Sequence, residues 1–174
     1  MKRRTVFTLL GQLGLASLSG LVLQGCGFTL RGSQNYAFST LAVMPNPGGA
    51  VAIELRRSFG SNVHVLAPNE PLTQAQVVLD ILQEQREKIV VGVNSSGQVR
   101  EFQLRIRVKF RVRTPHGVEL TPDAEILQQR DISFNESAVL AKEAEERLLY
   151  RDMQSDIVQQ LIRRLAAVNH AASP

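Results

Sequence analysis

At 174 residues with 44% apolar and 21% charged side chains, the chain is long enough for one globular domain with a sizeable core. Its formal net charge of +4 is misleading, because Lys2, Arg3 and Arg4 stand in the first 25 residues with no acid among them, and the remainder carries 17 basic against 16 acidic residues. That near-neutrality excludes a case for nucleic-acid binding from bulk charge, so any basic feature has to be local.

The first 25 residues read as a targeting segment. Lys2-Arg3-Arg4 forms a positive start, and Val6 to Leu23 is apolar but interrupted by Gly11, Gln12, Gly14 and Gly20. A membrane-spanning anchor is the competing reading; the glycines and the modest hydrophobicity argue against it. Leu23-Gln24-Gly25-Cys26 resembles a bacterial lipobox, although Gln24 stands where a small residue is usual. Cys26 is the only cysteine, so no disulfide can form within the chain, and lipidation explains an exported lone thiol. Several acyl chains at that site give stable anchoring where a single one is marginal. The expected organisation is a lipoprotein signal peptide over 1–25, a lipidated tether over 26–38, a single α/β domain over 39–168 and a flexible tail over 169–174. Gly27, rather than Asp, after the cysteine implies the outer membrane.

In the mature part, Ser39 to Met44 is a short strand candidate stopped by Pro45-Asn46-Pro47-Gly48-Gly49. Ala50 to Phe59 predicts a short helix with Val51, Leu55 and Phe59 on one face, and Gly60 reads as its terminator. Val63 to Leu66 reads as a short extension. Ala75 to Val91 predicts a long strand with Val77, Leu79 and Ile81 on one face and Asp80, Glu84, Arg86 and Lys88 on the other. The turn Val93-Asn94-Ser95-Ser96-Gly97 then leads into the most regular stretch of the chain.

That stretch is Arg100 to Thr114. Phe102, Leu104, Ile106, Val108, Phe110 and Val112 alternate strictly with Gln103, Arg105, Arg107, Lys109, Arg111 and Arg113, the pattern of a half-buried strand. Five cations fall on one face, spaced about 6.6 Å apart. Such a row is unfavourable unless acids or an anionic partner offset it. The plain reading is a solvated sheet face, which Lys and Arg commonly cover. After the turn Pro115-His116-Gly117, Glu119 to Phe134 predicts a third strand, with Pro122 suggesting a bulge or an edge. Asp80, Glu84, Glu125 and Asp131 are the acids expected across from the cations.

Asn135 to Val168 predicts the main helix, with Asn135 or Ser137 as its cap. Leu140, Ala144 and Leu148 make one stripe, continued by Leu149, Met153, Ile157, Leu161 and Leu165. The order predicts an α/β (α+β) two-layer sandwich: two helices on one face of a four-stranded, mostly antiparallel sheet, with the cationic face open. The sequence argues against an enzyme. His64, His116 and His170 are scattered, no spacing suggests a metal site, and no nucleophile or Gly-rich phosphate loop stands in a recognisable motif. No cofactor is expected beyond a covalent lipid on Cys26. Nucleic acid is not an expected partner either, because an export signal leads away from it and no aromatic platform stands among the cations.

Three pieces taken together resemble the LPS-assembly lipoprotein (LptE) family. They are Cys26-Gly27-Phe28-Thr29-Leu30-Arg31-Gly32, the alternating strand from Glu101 to Arg113, and Val139-Leu140-Ala141-Lys142-Glu143-Ala144-Glu145-Glu146 continuing to Leu149-Tyr150-Arg151-Asp152-Met153 and Gln160-Leu161-Ile162-Arg163-Arg164-Leu165. The resemblance implies helices on a four-stranded sheet and no catalysis. It implies an outer-membrane lipoprotein that plugs and helps assemble a large β-barrel translocon of the LptD kind, and that binds lipopolysaccharide on its way to the outer leaflet. Lys142 matches a family position associated with lipopolysaccharide binding. The family's other basic contact lies in the hairpin that here carries Asn94, Ser95 and Ser96, so Arg100 or Lys88 substitutes or the binding mode differs. The candidate lipopolysaccharide-binding residues are Lys142, Arg105, Arg107, Lys109 and Arg111. Two alternatives stand beside this: the cations pair within the sheet and hold the domain in the polar lumen of the barrel, or the chain is an envelope scaffold with no ligand of its own.

Overall fold

The computed structural model describes residues 35–168. The signal peptide, Cys26, most of the expected tether, the tail over 169–174 and His170 lie outside the described residues.

In chain order the elements are β1 (Thr40–Met44), α1 (Ala50–Ser58), β2 (His64–Val65), β3 (Val77–Val93), β4 (Val99–Arg113), β5 (Glu119–Ser133) and α2 (Val139–Ala166). Short 3-10 turns at Leu72–Gln74 and Glu136–Ala138 precede β3 and α2. The sheet has five strands rather than four and is mixed. Its order is β2-β1-β3-β4-β5, with β1 parallel to both β2 and β3 and the three long strands antiparallel. The extra strand lies within the short extension read over Val63 to Leu66, but it is only two residues long.

One sheet face carries both helices. Leu104, Ile106, Val108, Phe110 and Val112 of β4 are buried there against Leu41, Leu55, Met153, Ile157, Leu161 and Leu165. The meander and the strict alternation of β4 are as the sequence implies. Three expectations fail, each for a local reason. Gly60 does not terminate α1; Phe59 turns to extended backbone instead and packs its ring 5.5 Å from that of Tyr36. α2 begins at Val139 rather than Asn135, because the Asn135 side chain accepts from the Ser137 N–H and caps the preceding 3-10 turn. Along α2 the stripe from Met153 onward is buried, whereas Leu140 is 81% and Leu148 50% exposed. These residues sit on the face of the first turns that is turned away from the sheet.

The fourth correction positions the candidate site. β3 pairs with β4 in regular register until Ile81 opposite Phe110; the next pair is Gln83 opposite Lys109, so Leu82 is an extra residue. A bulge inverts the facing of everything after it. Asp80 therefore stays on the open face with Arg111, while Glu84, Arg86 and Lys88 swing to the helix face and Gln83, Gln85 and Glu87 take their places opposite the cations. The open face is also not bare along its whole length. Leu66, Leu72 and Ala75 pack on Ala42 and Val78 and cover one end of it.

Glu84 acquires a structural role by this inversion. α1 has no acid in its first turn and no capping side chain of its own. The Glu84 carboxylate accepts from the Val51 N–H at 3.2–3.3 Å, which satisfies an orphan donor at the positive end of the helix. Gly49 makes room, since a Cβ there would collide with that carboxylate. Glu84→Ala is expected to lower stability by about 1 kcal/mol, the usual cost of a lost cap, with no change in the surface presented by β4; chemical denaturation of the variant and its parent checks it. At the same end, Arg56 donates to the carbonyls of Val43 (2.7 Å), Pro45 (2.8 Å) and Pro47, tying the loop before α1 to the helix.

Candidate ligand-binding site

Two surfaces carry the residues singled out from sequence, and they do not coincide. The first is the open face of β4. Arg105, Arg107, Lys109 and Arg111 do line up there, but half of the row is neutralised. Arg111 and Arg113 both hold Asp80, at 3.0 and 2.7 Å, and Arg107 pairs with Glu125 at 2.8 Å. Arg105 donates to the Gln103 side chain at 2.7 Å and has no ion pair, and the Lys109 side chain has neither an ion pair nor a hydrogen bond among the described residues. Of the four expected neutralising acids, Asp80 and Glu125 serve. Asp131 accepts from the Gln103 amide instead of a cation, and Glu84 is on the other face.

Asp80 is the only buried charged residue among those described. Burial alone would push its carboxyl up, but the hydrogen bonds and charge of Arg113 and Arg111 outweigh that and hold it below the ordinary carboxylate range.

The second surface is a cleft of about 270 Å³ between the start of α2 and the far end of the meander. Its floor is Phe102, Ile132, Phe134 and Val139, and the rings of Phe102 and Phe134 meet edge-to-face at 5.3 Å. Two lysines share this lining. Lys88 lies 4.3 Å from the Phe102 ring centroid and pairs with Glu146 at 2.7 Å. Lys142 donates to Ser133 and Glu145, both at 2.9 Å. The four charged side chains of the lining, Lys88, Lys142, Glu143 and Glu146, sum to zero. Both lysine pairs are partly exposed, so each is worth only about 0–1 kcal/mol and opens readily to a competing anion.

Lys142 is therefore not on the row. Its partner Ser133 is in register with Glu101, four residues along β4 from Arg105, or about 13 Å. Arg100 donates only to Gln98 and does not line the cleft, so of the two possible substitutes for the missing hairpin cation it is Lys88 that stands beside Lys142. The alternation of β3 hides this, because without the bulge Lys88 would project to the opposite face. Among the described residues there is no group of three or more His, Cys, Asp or Glu that could hold a metal ion, and no helix is long and apolar enough to cross a membrane.

Fold and surfaces together define a two-layer helix-on-sheet domain with an amphipathic cleft at one end and a partly neutralised basic sheet face. The sequence model of the lipopolysaccharide-assembly family, LptE, matches residues 38–165, and the chain belongs to that family. It is 31% identical over 176 residues, covering 99% of this chain and 80% of the relative, to the LPS-assembly lipoprotein LptE of Yersinia enterocolitica. It is also 31% identical over 173 residues, 98% of this chain and 79% of the relative, to that of Yersinia pestis. Among solved structures, lipoprotein B from Nitrosomonas europaea superposes with a TM-score of 0.71 at 33% identity, over 84% of this chain and 94% of that one. The rare lipoprotein B of Shewanella oneidensis shares the fold, with a TM-score of 0.61 at 22% identity over 74% of this chain and 94% of that one.

Proposed function

We propose that this chain is an outer-membrane lipoprotein, anchored through lipid on Cys26, that acts in lipopolysaccharide assembly. It sits as a plug in the lumen of an LptD-like β-barrel, helps that barrel assemble, and receives lipopolysaccharide in the cleft between Lys88 and Lys142 during delivery to the outer leaflet. It performs no catalysis and needs no cofactor. The family membership supports the assembly role, and one observation carries the site: two lysines, one of them over the Phe102 ring, line a single cleft with an aromatic and aliphatic floor. Lipopolysaccharide has phosphates joined to acylated sugars, and lysine binds phosphate as a point charge. The cleft is slightly below the usual volume of a small-molecule pocket, roughly 300–1,000 Å³, so a bound amphiphile leaves most of its bulk outside and can be passed on.

Lys88→Glu with Lys142→Glu is expected to weaken lipopolysaccharide binding at least a hundredfold, since losing charge-assisted contacts at two sites costs about 1.5–3 kcal/mol each. Binding to purified lipopolysaccharide, beside a melting curve showing that the variant folds, checks this. Unchanged affinity in a folded variant rejects the cleft.

A second reading has its own observation. Arg105 and Lys109 have no ion pair among the described residues, and they face away from the helices. This supports a docking role for the open face against the polar lumen of the barrel. Under it, Arg105→Glu with Lys109→Glu weakens association with the barrel and leaves lipopolysaccharide affinity intact. If the row itself binds the ligand, the reverse holds.

A further inference from the structure

Two glutamates line the cleft beside its two lysines. Val139, Lys142, Glu143 and Glu146 stand at i, i+3, i+4 and i+7 along α2, so together they form one wall of the cleft. Glu143 and Glu146 are neighbours on that wall, with about 5–6 Å between Cβ atoms, and like charges so placed repel unless a cation offsets them. Lys88, reaching across from β3, pairs with Glu146 at 2.7 Å. Lys142 is held at 2.9 Å by Glu145, which is not part of the lining. Glu143 lines the cleft with neither an ion pair nor a hydrogen bond among the described residues. The floor across from it is aromatic and aliphatic and offers it no cation.

A phosphate alone does not complete this site. When it draws Lys88 away from Glu146, both carboxylates of the wall face an anion, and such juxtaposed like charges oppose binding. The charged lining is neutral before a ligand arrives. The headgroup that leaves it neutral carries a positive group beside its negative one. We propose that the cleft prefers a zwitterionic amphiphile. Its phosphate ester lies between Lys88 and Lys142, its primary ammonium against Glu143 and Glu146, and its apolar part against the Phe102 and Phe134 floor. Neighbouring positions on the wall are about 5–6 Å apart, a span that a phosphate and an amine joined by two carbons can cover. The rings favour the ammonium as well, since a cation over an aromatic face is attracted, as Lys88 already is at 4.3 Å from the Phe102 centroid. An ethanolamine phospholipid and a lipopolysaccharide with ethanolamine-capped phosphates share this chemistry. The inference rests on the proposed role of the cleft and adds the class of headgroup that the cleft selects.

Equilibrium binding to the full chain in a non-ionic detergent tests this with two matched pairs of probes, each variant being checked by a melting curve. One pair is dihexanoyl phosphatidylethanolamine and dihexanoyl phosphatidylglycerol. The other is lipopolysaccharide with ethanolamine-capped and with bare phosphates. In at least one pair the amine-bearing member is expected to bind about fivefold tighter, the scale of one partly exposed ion pair, and the pair that shows it identifies the source. Glu143→Gln with Glu146→Gln is expected to erase the difference, mainly by tightening the amine-free member. Lys88→Glu with Lys142→Glu is expected to lose all four probes. Equal or tighter binding of the amine-free member in both pairs overturns the proposal, as does a preference that survives the loss of both glutamates. If the lysine variant still loses binding in either case, the cleft remains a phosphate site and only the headgroup inference falls. If the lysine variant keeps its binding, or the parent binds none of the probes, the role of the cleft falls with it.

Discussion

Asp80→Asn is expected to lower the unfolding free energy by about 2–3 kcal/mol at neutral pH, roughly the cost of breaking charge-assisted hydrogen bonds at a buried site. The residue is 8% exposed and accepts from Arg111 Nε at 3.0 Å and from Arg113 Nε and an Arg113 terminal nitrogen at 2.7 and 3.2 Å. An amide keeps the shape but not the charge, so two guanidinium groups side by side on β4 lose their shared counter-ion. The loss has a pH signature. The folded-state pKa of Asp80 is depressed, so its contribution is fully present above the unfolded value of about 3.9 and disappears as pH falls through the lower folded value. The parent should therefore lose stability below about pH 4, and Asp80→Asn should lose less over that interval. Urea unfolding of both chains from neutral to acid pH measures it.

Phe110→Ala should cost more, about 3–5 kcal/mol. The ring is 2% exposed, in register with Ile81 on one side and Ala124 on the other, and the Arg164 guanidinium lies 5.3 Å from its centroid. An open groove of about 260 Å³ borders it, lined also by Val112, Ala124 and Val168. Truncation deepens that groove at the edge of the core. It also removes the face on which Arg164 rests. The fall in thermal midpoint, compared with that of Val112→Ala beside it, measures the effect.

The contrast between β3 and β4 explains what could be read from the residues alone. β4 is the central strand of the meander, and its sequence alternates without interruption, so its two faces were legible from Phe102 to Arg113. β3 carries the bulge at Leu82, and nothing local marks it. Leu82 becomes an extra residue only because Ile81 and Gln83 must meet Phe110 and Lys109. Every assignment beyond it was inverted, which hid the helix-capping role of Glu84 and the place of Lys88 in the cleft. Leu140 and Leu148 misled for a different reason. A helical period shows that a stripe exists, but not which turns the sheet lies under. The separation of Lys142 from Arg105 depends on strand register between β4 and β5, which no single strand encodes.

The candidate site therefore divides into a cleft that combines charge with apolar surface and a sheet face with two cations that have no ion pair among the described residues. On the proposed reading the cleft takes the ligand and the sheet face meets the barrel. The most direct measurement is co-purification from solubilised outer membranes of C-terminally tagged chains carrying either Lys88→Glu with Lys142→Glu or Arg105→Glu with Lys109→Glu, scoring the barrel and lipopolysaccharide in each eluate. The account predicts that the first pair retains a stoichiometric large β-barrel protein and loses lipopolysaccharide, and that the second loses the barrel. A parent chain that elutes with no barrel at all, or a cleft variant that elutes with its full complement of lipopolysaccharide, would contradict it.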